Sequence, residues 1–161
     1  MSKNQSPYML ESASDYLRAA KLLWEQPNLC NVAMVNAAIA IEIILKSFSA
    51  EPADNKWKGT IVEQYEIKGK RLHLFTELAA RIDPVIYRDL GFNNHDYWFQ
   101  QYDNLFIKAR YPYEPDSRSG HTEIPIKVGI EMFKATIRWY KDTGNTDLWV
   151  KRYPDVTGGG L

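Results

Sequence analysis

The stretch Asn36-Ala37-Ala38-Ile39-Ala40-Ile41-Glu42-Ile43-Ile44-Leu45-Lys46 decides the fold. Its apolar residues occupy nearly every direction around a helical wheel, so the helix they form must be covered by several neighbours. Two charges interrupt the run, and they leave no uncharged segment of the ~18 apolar residues that a membrane span requires. A protein with no membrane part is the expectation.

Working outward, Ser6-Pro7 reads as an N-cap followed by proline at the first helical position, with apolar residues then recurring at helical spacing to Trp24. The pattern predicts a first helix over 7–25, ended by Gln26-Pro27-Asn28, and a second from about Leu29 or Asn31 to Ala50. Residues 51–69 break the pattern as a loop or hairpin insertion, with Thr60–Ile67 suited either to a short strand or to irregular chain. Further helices are predicted over 72–82 and 84–90, then over 95–110 on a stripe of Trp98, Phe99, Tyr102, Leu105, Phe106 and Ala109. Pro112 and Pro115 stop that helix, and a last one begins near Pro125 and ends before Gly144. The expectation is an all-α antiparallel bundle of four to five helices over 1–144, followed by a tail, 145–161, whose aromatics dock and whose end frays.

Composition narrows the function classes. The 161 residues suit one domain, and 20 basic against 20 acidic residues give no overall field to attract a polyanion. A nucleic-acid site must therefore be local or shared between subunits. One cysteine, Cys30, cannot close an intramolecular disulfide, which fits a reducing cytoplasm. Ten tyrosines and five tryptophans supply more amphipathic rings than a small core needs, and such rings suit interfaces.

Glu42 lies among Ile41, Ile43, Ile44 and Leu45, where a carboxylate needs a partner. Lys46, one turn on, supplies a solvated pair; Arg110 is the alternative, held bidentately by a Glu42 that faces inward. Arg110-Tyr111-Pro112-Tyr113-Glu114 places a cation at a helix C-terminus, which the helix dipole alone favours. The two prolines stiffen the chain beside it, and the tyrosines and Glu114 surround it with groups that hold a phosphate or stack a base. Of three histidines, His73 reads as helix-starting and His95 as turn-forming. His121, on the loop with Arg118, is the candidate for proton transfer. Lys68-Gly69-Lys70-Arg71 is a small basic cluster. Zinc-ligand spacing, a glycine-rich phosphate loop and a Gly-x-Ser-x-Gly elbow are all absent, so no metal or cofactor is expected.

The order Asn36 to Lys46, then Leu72-His73-Leu74-Phe75, then Ala109-Arg110-Tyr111-Pro112-Tyr113-Glu114 resembles HEPN domains (higher eukaryotes and prokaryotes nucleotide-binding) over about residues 8–140. The resemblance implies a helical homodimer with its sites in a cleft along the two-fold axis. It also implies metal-independent endoribonuclease activity in toxin–antitoxin, phage-defence or RNA-processing systems, with RNA or nucleotide as ligand. Other members pair with a nucleotidyltransferase, or serve without catalysis as a nucleotide- or protein-binding half of a two-component module with a cognate partner such as an antitoxin. Active members carry arginine, four to six residues, then histidine; here ten residues separate Arg110 from His121. On this resemblance Arg110 and His121 are the catalytic pair, supported by Glu42, Lys46, Tyr111, Tyr113, Glu114 and Arg118.

Overall fold

The computed structural model describes residues 5–68, 73–117 and 120–161, and these form an all-α structure with one minimal strand pair. Three long helices make the frame: α1 (Pro7–Trp24), α2 (Cys30–Ser47) and, much later, α7 (Ile124–Asp142). Between them come β1 (Glu51–Pro52), β2 (Tyr65–Glu66), α3 (Phe75–Ala79), α4 (Pro84–Asp89), α5 (Asp96–Tyr102) and α6 (Leu105–Ala109). A final short helix, α8 (Leu148–Arg152), follows α7.

α2 sits at the centre and packs against α1, α3, α6 and α7. Alanines make close packing with α1 feasible: Ala13 and Ala20 of α1 and Ala33, Ala37, Ala38 and Ala40 of α2 are all fully buried. α7 closes over this pair through Gly129, where an added Cβ would lie 2.7 Å from Leu17 Cδ2 and 3.4 Å from Ile41 Cγ1. The missing side chain lets three helices meet at one point. By length and hydropathy α2 is apolar enough to cross a membrane, and it is here the core helix of the packed structure.

Two buried polar links fasten the frame at its other end. Tyr140 of α7 is fully buried, its hydroxyl accepts from the Ser6 backbone N–H at 2.8 Å, and burial pushes that phenol up to about 12. The Ser6 hydroxyl in turn donates to Ser47 O, at the end of α2, at 3.4 Å.

The chain departs from its sequence pattern in three places. First, the helix expected over 95–110 is two helices, preceded by a 3-10 turn at Phe92–His95 and broken at Asp103-Asn104. The break has a structural use: Asp103 Oδ1 accepts from Thr76 N–H at 2.8 Å, and Oδ2 accepts from the Thr76 hydroxyl. A carboxylate from a distant segment thus supplies the cap that Leu74, at the N-cap position of α3, lacks. Second, the insertion is a closed loop in which Glu51 pairs with Glu66 and Pro52 with Tyr65, so the strand over 60–67 shrinks to two residues. Third, the tail is packed to its end: Val150 and Tyr153 are buried, Phe133 lies 5.3 Å edge-on from Tyr153, and Leu161 N–H donates to the Tyr153 hydroxyl at 2.6 Å. The end does not fray.

Asp103→Ala removes the cap of α3 and leaves the Thr76 N–H without its acceptor. Urea denaturation is expected to show a loss of about 1–2 kcal/mol, and Asp103→Asn, which keeps an acceptor, is expected to lose less.

Candidate functional site

The carboxylate on α2 determines where the site forms. Glu42 is 9% exposed, and its Oε1 accepts from Lys46 Nζ and from His73 Nδ1, the latter at 3.0 Å. An ionised carboxylate only accepts, so the proton of a neutral His73 ring resides on Nδ1 and its Nε2 carries the lone pair. The His73 side chain is 43% exposed, leaving the imidazole open to solvent while one edge is gripped from below.

Phe106 on α6 extends this arrangement. Its ring stacks on His73 at 6.4 Å and 30°, and the Arg110 guanidinium lies over the same ring at 5.3 Å from its centroid. Arg110 is the C-cap of α6, as the sequence indicates, and it also lies 4.8 Å from the Tyr111 ring. Its planar cation is therefore held by aromatic faces, which leaves its hydrogen-bond donors for other partners. The pairing of Glu42 with Arg110 is corrected: Glu42 is engaged by Lys46 and His73, and Phe106 bridges to Arg110. The buried Glu42 carboxylate is answered by Lys46 and His73, and Arg110 stands one ring further out, over Phe106.

The loop after Arg110 is anchored at both ends to α2. Asn31 Nδ2 donates to Ala109 O, immediately before Arg110, and Thr122 N–H contacts Met34 Sδ at 3.5 Å, immediately after His121. Asn31 and Met34 are three residues apart and share a helix face, where such neighbours lie about 5–6 Å apart. The ten-residue interval thus returns to its starting point. His121 is exposed there, and no hydrogen bond or ion pair links it to Arg110 among the described residues.

Tyr111 and Tyr113 form an open aromatic pair 5.8 Å apart, 39% and 80% exposed. Glu114 sits in the turns that fold this loop, donating its N–H to Tyr111 O at 3.1 Å, and its side chain is exposed. Arg118 lies outside the described residues, as do Lys70 and Arg71 of the basic cluster.

His73 is the residue that sequence reasoning passed over. It precedes α3 without capping it, and its partner is 31 positions away. The one available signal was Glu42 itself: a carboxylate on a core helix needs donors, and His73 opens the next helical segment. His95, in contrast, packs on Phe99 with its ring centroid 6.2 Å away. Burial holds His95 below the ordinary imidazole range, against the opposing pull of Glu131 and Asp96.

No family model, curated protein or solved structure matches this chain. The site's reading rests on its own geometry.

A double-mutant cycle checks the corrected pairing. Glu42→Gln with His73→Ala is expected to show a coupling of about 0.5–3 kcal/mol in urea denaturation. Glu42→Gln with Arg110→Ala is expected to be additive within about 0.5 kcal/mol, and strong coupling there would restore the direct pair.

Proposed function

We propose that this chain is a HEPN-like helical protein that binds RNA and cleaves it without a metal ion. The observation that carries the reading is the grouping of Lys46, His73 and Arg110 around Phe106 and Glu42, beside an open pair of tyrosines. Cations to hold a phosphodiester, rings to receive an unstacked base and an accessible imidazole meet at one end of α6.

In this mechanism Arg110 neutralises charge developing on the phosphate oxygens as the RNA 2′-hydroxyl attacks the adjacent phosphorus. His121 is the proton-transfer group on the returning loop. Tyr111 and Tyr113 stack a base, which favours single-stranded segments where bases are free to leave the helix. DNA lacks the nucleophile and is bound without being cut.

The functional unit is a homodimer. α2 leaves Val32 44% exposed and Val35, Ile39 and Ile43 half-buried, an apolar strip on a helix otherwise closed by neighbours. A second copy over this strip would complete its burial and bring two Arg110 sites toward one axis. A cognate nucleotidyltransferase or antitoxin fits such a protein as the other half of a two-gene module.

The test is cleavage of a single-stranded oligoribonucleotide in EDTA. Wild type is expected to cut it and to leave the 2′-deoxy version intact, while Arg110→Ala lowers kcat/KM by about 10²–10³. Retained cleavage in both Arg110→Ala and His121→Ala would remove this mechanism. A folded wild type that binds but never cleaves would leave the non-catalytic binding role. Size-exclusion chromatography is expected to show a dimer that Ile39→Glu converts to monomer; a wild-type monomer at micromolar concentration would contradict the shared cleft.

A further inference from the structure

In-line transesterification places the attacking 2′-oxygen and the leaving 5′-oxygen on opposite sides of phosphorus, so one small side chain reaches only one of them. A proton must leave the first and another must reach the second. The site offers two imidazoles: His73 stacks on Phe106, over which Arg110 lies, and His121 stands on the loop that returns to α2 next to Thr122.

We propose that His73 is a second catalytic group, the general base, and that Glu42 is its positioning residue; this rests on the ribonuclease reading above. The Nδ1···Oε1 contact of 3.0 Å fixes which nitrogen is protonated and leaves Nε2 as the basic atom of the neutral ring. The groups that face His73 are Glu42 and Lys46 from α2, Phe106 from α6 and, across Phe106, Arg110. Of these, Glu42 is the one anion, and it holds the ring at Nδ1, leaving Nε2 for substrate. The same logic, a carboxylate behind the imidazole that accepts a proton, operates in hydrolase triads.

His73 Nε2 takes the 2′-hydroxyl proton as the 2′-oxygen forms its bond to phosphorus. The P–O5′ bond breaks, and protonated His121 gives its proton to the departing 5′-oxygen. The products are a 2′,3′-cyclic phosphate and a 5′-hydroxyl, and the two imidazoles have exchanged protonation states, which solvent restores. Glu42 remains ionised throughout, accepting from Lys46 and His73.

A substrate whose leaving group needs no proton separates the two histidines. On an oligoribonucleotide in EDTA, His73→Asn and His121→Gln are each expected to lower kcat/KM by about 10²–10⁴. The asparagine amide keeps a donor facing Glu42 while removing Nε2, so the fold retains its link. On uridine 3′-(4-nitrophenyl phosphate), His121→Gln is expected to return to within about 10-fold of wild type, because the acid is dispensable, whereas His73→Asn stays depressed. Glu42→Gln is expected to lower kcat with KM within about 2-fold of wild type; an unchanged kcat overturns its positioning role. Full activity of His73→Asn on both substrates, with Arg110→Ala impaired, overturns the His73 assignment and leaves the ribonuclease reading intact. No cleavage of either substrate by folded wild type overturns both.

Discussion

Glu42 is a carboxylate on a helix whose inward neighbours are alanine, isoleucine and leucine, and the structure has to answer its charge locally. Leaving it unpaired at this depth would cost about 1–3 kcal/mol or more, a sizeable share of a small domain's stability. Lys46 answers part of it from within the helix, and His73 supplies the second donor from outside. That second bond draws the segment before α3 onto α2, positions the imidazole over Phe106 and thereby aligns it with Arg110. One buried charge therefore links the core helix to the surface residues that a ligand would meet.

The rest of the architecture fixes where those surface residues stand. Alanines on α1 and α2 and the bare backbone at Gly129 bring the three long helices close, so α2 cannot rotate to expose Glu42 without opening the core. The break at Asp103 lets one segment both cap α3 and start α6 anew. α6 then carries Phe106 beside His73 and ends at Arg110. The bonds from Ala109 to Asn31 and from Thr122 to Met34 return the following loop to α2, so a long interval between Arg110 and His121 does not disperse the site. Glu42 and Phe106 are on helices, His73 and Arg110 stand just before α3 and at the end of α6, and Tyr111, Tyr113 and His121 are on the loop.

Helical periodicity made most of the fold legible. The long helices were bounded within a few residues because proline at Pro7 and Pro125 and the turn at Pro27 mark their ends physically. The break within 95–110 was not legible, because Trp98 to Ala109 keep an unbroken apolar stripe and only the tertiary demand of Thr76 recruits Asp103 out of the helix. At the site, Arg110 was visible as a cation before proline, and the need of Glu42 for a partner was visible from its neighbours. Lys46 was legible as one partner, a helical turn along; the second donor, His73, was not, because its reach to Glu42 depends on how α3 and α6 approach α2, which local pattern does not encode.

On the proposed function, Glu42, His73, Phe106 and Arg110 meet one ligand together. The direct measurement is an NMR titration of the protein with a short 2′-O-methyl oligoribonucleotide, which retains phosphates and bases but has no nucleophile. The account predicts that the His73 ring and Arg110 side-chain signals shift together along a single saturation curve, and that Arg110→Ala abolishes the shift at His73. Perturbations confined to other surfaces, with the His73 and Arg110 signals unmoved at saturation, would contradict it.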